Sequence, residues 1–175
     1  MSGFVLFATP GWVNFLILIP IVPYLLSRKD KIRVGKKRLL IAAIFAVAFG
    51  FVEAAVVVYL RAATGFLPGP HDESLVAFPA SLYRIECFRE AATMIMLGGI
   101  ALLTAHNTKD KVVAFLWTFA FWDIFYYVWL RLAIGWPGSF IASDVLFLIP
   151  VPWVAQVWFP ILVSGLTALV IWSRS

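Results

Sequence analysis

The sequence predicts an all-α, polytopic integral membrane protein with five transmembrane helices, and three observations support this. Hydrophobic residues make up 63% of the 175 residues and charged residues 13%, against about 45–50% and about 25% in soluble domains. Long apolar runs recur, and about 20 apolar residues are enough to cross a bilayer. Basic residues concentrate in alternate loops, as in membrane proteins of fixed orientation. A single transmembrane domain over 1–175 is therefore predicted.

Five apolar segments are the predicted spans, at 5–26, 39–64, 84–105, 112–134 and 152–172. Pro20 and Pro23 predict a kink or a broken end in the first span, because proline removes a helical hydrogen bond. The segment 139–149 is too apolar for an ordinary solvated loop and too short to cross the membrane. We predict that it is an interfacial or re-entrant lid over the outer face. Pro160 predicts a kink in the fifth span.

The charges of the loops predict the orientation. The loop SRKDKIRVGKKR, between the first and second spans, holds seven basic residues and one acid. The next loop, GFLPGPHDESLVAFPASLY, holds two acids and no Lys or Arg, and the third, HNTKDK, is basic again. This alternation predicts an outside N-terminus and a cytoplasmic C-terminus, in a bacterial inner membrane. The net charge of +5 is accounted for by these loops. The expected partners are therefore membrane lipids, other membrane subunits or a second copy of the chain, and not nucleic acid.

A shift of 70 residues aligns 45–66 with 115–136 and gives eight identities. It places Glu53 on Asp123, and it places an arginine on an arginine eight residues later in both copies. We predict that 39–105 and 112–172 are tandem copies of one helical hairpin, formed by the second and third spans and by the fourth and fifth. Parallel repeats of this kind occur in membrane transporters. A chance alignment of aromatic-rich helices is the alternative.

The charged side chains within the predicted spans lie in the outer half of the membrane or near its midplane. Glu53 and Asp123 each lie roughly 16 Å below the outer end of their helix, near the centre of a core about 30 Å thick. One stripe of the third span carries Glu86, Glu90, Thr93 and Leu97. A carboxylate near the bilayer centre costs at least about 2.5 kcal/mol and normally faces inward. The acids are therefore predicted to converge.

The predicted site is an outward-facing cluster of carboxylates and arginines. The candidate catalytic residues are Glu53, Asp123, Glu90 and Glu86. The candidate substrate-binding residues are Arg61, Arg89, Arg131, Tyr127 and Asp144. No cofactor is identified by a motif. If a divalent metal binds, the four catalytic candidates are its predicted ligands, and carboxylate oxygens suit Mg, Mn or Ca, with Fe as a further option.

Three classes of function stay open on the sequence alone. The first is an enzyme that acts on a lipid or isoprenoid-like substrate by acid–base or metal-assisted chemistry. The second is a non-catalytic subunit or assembly partner of a larger membrane complex. The third is a proton or cation transporter, although the inner halves of the spans offer hydroxyl groups and no ionisable side chain. An ion-pair network that only joins the helices is the alternative explanation of the cluster itself.

Overall fold

A computed structural model describes residues 7–63 and 80–175, and the chain is mostly helical. The parts of the predicted spans and repeat at 5–6 and 64–79 lie outside these residues. The helical elements are a 3-10 helix at Gly11–Leu18, α1 at Ile21–Leu26, α2 at Lys36–Ala63, α3 at Ala80–Thr104, α4 at Thr108–Ile134 and α5 at Trp158–Arg174.

Three of these helices are long and apolar enough to cross a membrane. They are α2, the part of α3 at Leu82–Thr104, and α4. The segment Gly11–Leu26 and α5 are also apolar but shorter. The predicted membrane class is confirmed at this level, whereas the count of five spans and the orientation stay predictions.

The all-α prediction fails in one region, where the chain forms a three-stranded antiparallel sheet. Its strands are β1 at Ala8–Thr9, β2 at Ser143–Phe147 and β3 at Trp153–Gln156, in the order β1-β3-β2. The segment 139–149, predicted to be a lid, contains β2, and β3 occupies the predicted start of the fifth span. Pro150 and Pro152 between these strands have no N–H group to donate to a helix. Instead of forming a helix, the flanking strands β2 and β3 pair with each other through backbone hydrogen bonds.

Prolines mark the ends of two helical segments. The first predicted span is broken as expected, because the 3-10 helix ends before Pro20 and α1 begins after it. The predicted kink at Pro160 is wrong. Because α5 begins only at Trp158, Pro160 lies in its first turn, where backbone N–H groups have no partner within the helix.

The centre of the bundle is α4, which packs against α2, α3 and α5. It approaches α2 closely at Gly50. A Cβ atom at this position would lie 3.0 Å from the carbonyl oxygen of Trp122 and 3.2 Å from the backbone nitrogen of Tyr126. Contacts this short leave no room for a side chain, so Gly50 lets the two helices pack backbone to backbone.

Two indole groups of α4 reinforce this contact. The Nε1 atom of Trp117 donates a hydrogen bond to the carbonyl oxygen of Leu39 at 2.7 Å. The Nε1 atom of Trp129 donates to the carbonyl oxygen of Val47 at 2.9 Å. Both acceptors lie on α2, so α2 and α4 are joined by hydrogen bonds as well as by apolar packing.

The basic loop is attached to the start of α4. The side chain of Asn107 caps this helix by accepting a hydrogen bond from the backbone N–H of Asp110 at 2.8 Å. The ammonium group of Lys109 donates to the carbonyl oxygens of Asp30 and Lys31 at 2.7 and 3.2 Å. The basic residues therefore gather at the end of the bundle where α2 and α4 begin, and the sheet lies near the end where they finish.

Gly50→Ala is expected to lower the free energy of unfolding by about 1–3 kcal/mol, because the added methyl group forces α2 away from α4. The measurement is thermal unfolding of the purified protein in detergent. The matched control is Gly98→Ala, where a Cβ would meet nothing within 4 Å. An unfolding temperature of Gly50→Ala equal to that of this control would contradict the close packing.

Candidate functional site

A cavity of about 540 Å³ lies between the ends of the helices and the sheet. Its walls come from α2, α3, α4, α5, β2, β3 and the 3-10 helix. Most of the lining is apolar or aromatic, with a smaller number of ionisable groups. A cavity of this size and composition is typical of a binding site for a small molecule.

Most of the predicted site residues line this cavity. They are Glu53, Arg61, Glu86, Arg89, Glu90, Asp123, Tyr127 and Asp144. Arg131 is not among the lining residues, and its role in substrate binding stays a prediction. Its guanidinium group donates to the carbonyl oxygens of Gly135 and Pro137. Gly135 ends α4 in the left-handed conformation, with φ of 73°, so Arg131 stabilises the end of its own helix.

Arg89 joins two of the acids. Its Nε and Nη2 atoms donate to Oε2 of Glu86 at 2.9 and 2.8 Å, and its Nη1 atom forms an ion pair with Glu53. The hydroxyl of Thr93 donates to Oε1 of Glu53 at 2.7 Å. Glu53 and Glu86 are only 3% and 5% exposed. One guanidinium group thus serves two buried carboxylates and links α3 to α2.

Asp123 has a different environment. The hydroxyl of Ser164 on α5 donates to its Oδ2 atom at 2.7 Å, and the residue is buried. This pair resembles that of Glu53 and Thr93, since in both an acid of one helix accepts a hydroxyl bond from the next helix. The repeat predicts such a likeness. The two hydroxyl residues are one position out of alignment, however, and the repeat stays a prediction.

Asp144 on β2 is tied to the helices. Its Oδ2 atom accepts a hydrogen bond from the Tyr127 hydroxyl at 3.0 Å. Burial raises the pKa of the Asp144 carboxyl to about 6, against the opposing effects of Arg61 and of the Tyr127 hydrogen bond. The guanidinium group of Arg61 lies 4.8 Å from the ring centroid of Trp136. A carboxyl group that exchanges its proton near neutral pH therefore lies in the wall of the cavity.

Glu90 connects α3 to the strand region. Both of its carboxylate oxygens accept a hydrogen bond from the backbone N–H of Leu148 at 2.9 Å. The hydroxyl of Tyr83 donates to the carbonyl oxygen of Leu148 at 3.3 Å. Leu148 directly follows β2, so these contacts hold the strand over the cavity.

Among the further residues that line the cavity, Ser164 and Trp122 bear most directly on its chemistry. A fifth span over 152–172, as predicted from the sequence, would put Ser164 in its inner half. Since α5 begins at Trp158, Ser164 is near its start and reaches Asp123. The other residue is Trp122, which is buried and whose Nε1–H group has no acceptor among the described residues. Its position beside Asp123 in the sequence was the available signal.

The structure does not assemble the predicted metal ligands. Among residues 7–63 and 80–175, no three or more His, Cys, Asp or Glu side chains are grouped so as to hold a metal ion. Glu53 and Glu86 face Arg89, and Glu90 is occupied by the Leu148 backbone. These contacts occupy the Glu53 carboxylate, Oε2 of Glu86 and both oxygens of Glu90.

Comparison with known proteins finds no match to this chain among protein-family models, curated proteins or solved structures. The chemistry of the cavity therefore has to be inferred from the residues that line it.

Proposed function

We propose that this protein is an enzyme of a bacterial inner membrane that binds a lipid or isoprenoid-like molecule in the cavity and performs acid–base chemistry on it. The observation that carries the proposal is the composition of the wall. Five carboxyl and two guanidinium side chains lie among apolar and aromatic residues in a cavity of about 540 Å³. Few, grouped polar residues in an apolar cavity are typical of sites that orient a small molecule.

The excess of carboxyl groups favours proton transfer. If all five were ionised, two guanidinium groups would leave three negative charges uncompensated in a low-dielectric space, and such charges are costly to bury. Protonated and ionised carboxyl groups in one cavity provide an acid and a base for the same reaction. The pKa of about 6 for Asp144 is in the range in which a group accepts and releases protons at neutral pH.

The contacts suggest different roles for the acids. Asp123 accepts its hydrogen bond from a neutral hydroxyl, and we assign it proton transfer to or from the substrate. Asp144 and Tyr127 form a second hydrogen-bonded pair that can relay a proton. Glu53 and Glu86 share Arg89, which suits a structural part of the site.

A one-sided site is better supported than a transport path. Among the described residues closer to the basic end of α4 and α5, Thr118 and Thr167 are buried hydroxyl residues. Both donate to carbonyl oxygens of their own helices, those of Ala114 and Val163. Hydroxyl groups that are satisfied within their helix do not form a chain of proton carriers. The role of a non-catalytic subunit is distinguished from the proposal by a test of turnover.

Asp123→Asn is expected to abolish turnover while the protein stays folded, because the amide keeps the size of the carboxyl group and can still accept the Ser164 hydrogen bond. The measurement is untargeted mass spectrometry of a bacterial membrane lipid extract after incubation with the purified protein. The wild type is expected to change the abundance of at least one lipid, and the variant to leave that lipid unchanged.

The matched control for this measurement is Asp30→Asn, an acid-to-amide change at an exposed position of the basic loop. It is expected to behave as the wild type. Turnover by Asp123→Asn at the wild-type rate would remove Asp123 from the mechanism. A lipid extract that the wild type does not alter would favour the non-catalytic alternative.

Glu53→Gln is expected to lower the free energy of unfolding by about 1–3 kcal/mol, because it removes the charged partner of a partly buried guanidinium group. Thermal unfolding in detergent measures this, with Asp123→Asn as the comparison. We expect Glu53→Gln to be the less stable of the two, since Glu53, unlike Asp123, pairs with an arginine. The reverse order of stability would assign the structural role to Asp123.

A further inference from the structure

The charge of the cavity indicates what it binds. Of the described residues that line it, five carry a carboxyl group and two carry a guanidinium group, and no lysine or histidine is among them. An apolar space with an excess of carboxyl groups disfavours an anion and favours a cation or a proton donor.

The arginines do not reach every acid through a hydrogen bond. Arg89 pairs with Glu53 and Glu86. The other three acids accept their hydrogen bonds, as far as the described residues show, from neutral groups. Asp123 accepts from the Ser164 hydroxyl and Asp144 from the Tyr127 hydroxyl. Glu90 accepts from the backbone N–H of Leu148. Arg89 and Arg61 still act electrostatically on Glu90 and Asp144. A positive charge on a ligand would therefore best complement Asp123.

Aromatic rings form much of the remaining wall. They belong to Phe119, Trp122, Tyr126, Trp136, Phe147 and Trp153. The faces of aromatic rings attract cations, most strongly when water is excluded. The guanidinium group of Arg61 over the ring of Trp136 is one such contact within this protein. The wall therefore suits an organic cation better than a hydrated metal ion.

A separate observation points to a ligand. Trp122 is 8% exposed and lines the cavity, and its Nε1–H group has no hydrogen-bond acceptor among the described residues. Buried donors without an acceptor are rare in folded proteins, because each carries a free-energy cost. A ligand with an oxygen near its charged group would supply the missing acceptor.

We propose that the cavity binds a lipophilic amine, with its ammonium group at Asp123 and its hydrocarbon part against the aromatic wall. This specifies the substrate class and rests on the proposed function only in that the ligand is lipophilic and occupies the same cavity. An oxygen on such an amine would be the acceptor that the indole of Trp122 lacks among the described residues.

The test uses the full-length protein in nanodiscs of neutral phosphatidylcholine at pH 7.5. Three probes share a twelve-carbon chain and differ only in the polar end: dodecylamine, dodecanol and dodecanoate. Bound probe is counted by mass spectrometry, and partition into empty nanodiscs is subtracted. Saturable binding of dodecylamine is expected, about tenfold tighter than that of dodecanol, because a charged hydrogen bond replaces a neutral one.

Asp123→Asn is expected to weaken binding of dodecylamine about tenfold and to leave dodecanol unchanged, whereas Asp30→Asn changes neither. If Asp123→Asn does not fold, Glu90→Gln is measured in its place, with a smaller loss expected. The comparison of the three binding affinities on the wild-type protein tests the proposal without any variant.

Each other outcome has a distinct meaning. Saturable binding of dodecanol or dodecanoate as tight as that of dodecylamine would overturn the amine inference and leave the proposed lipophilic site standing. Binding of dodecylamine that is unchanged in the acid-to-amide variants would overturn it as well. Absence of saturable binding for all three probes would overturn both the inference and the proposed function.

Discussion

The close approach of α2 and α4 at Gly50 determines where the acids of the cavity lie. Gly50 is about one helical turn before Glu53, and on the facing helix its neighbours Trp122 and Tyr126 flank Asp123. Backbone contact between the helices therefore brings both acids toward one space. The indole hydrogen bonds from α4 to α2 reinforce this pairing, and α3 and α5 also pack on α4.

Burial of several acids in an apolar bundle needs compensation, and the structure provides it unevenly. Arg89 compensates the charges of Glu53 and Glu86 at once and links α3 to α2. This structural role accounts for the arginine. A network that served only to join helices would be expected to satisfy each acid with a cation, because an unpaired buried charge is strongly destabilising. Asp123 is hydrogen-bonded instead by a hydroxyl. This difference separates the structural part of the cluster from the part to which we assign chemistry.

The small sheet supplies backbone hydrogen bonds to the segment 139–149, which the sequence predicted to be a lid. An apolar segment at the membrane interface exposes backbone groups that need partners. The strand β2 pairs with β3, which also pairs with β1. The register of β2 and β3 is irregular between Val145 and Phe147. Just beyond this irregularity, the N–H group of Leu148 bonds to the carboxylate of Glu90. The same acid thus lines the cavity and completes the hydrogen bonding of its cover.

Composition and periodicity predicted the membrane class and the segments that form the three long helices. The stripe on the third predicted span also placed its residues correctly, since Glu86, Glu90, Thr93 and Leu97 are all buried. These features depend on the local sequence and on the cost of exposing charge to lipid, so they can be predicted without the fold. The metal ligation, the repeat and the count of five spans were also predicted from the sequence, but nothing in the fold establishes them.

Only the tertiary structure decided which partner each acid has. Short apolar runs do not by themselves distinguish a strand from a helix. The strands therefore form through pairing between distant parts of the chain. Because β3 ends at Gln156, α5 begins only at Trp158. That start placed Ser164 beside Asp123. Arg131 was assigned to the site by its alignment with Arg61, yet the glycine that ends α4 supplies nearer carbonyl acceptors. The sequence determined how many charges the membrane domain must accommodate, and long-range packing decided which of them face the cavity, because a side chain bonds to the partners that the folded backbone brings within reach.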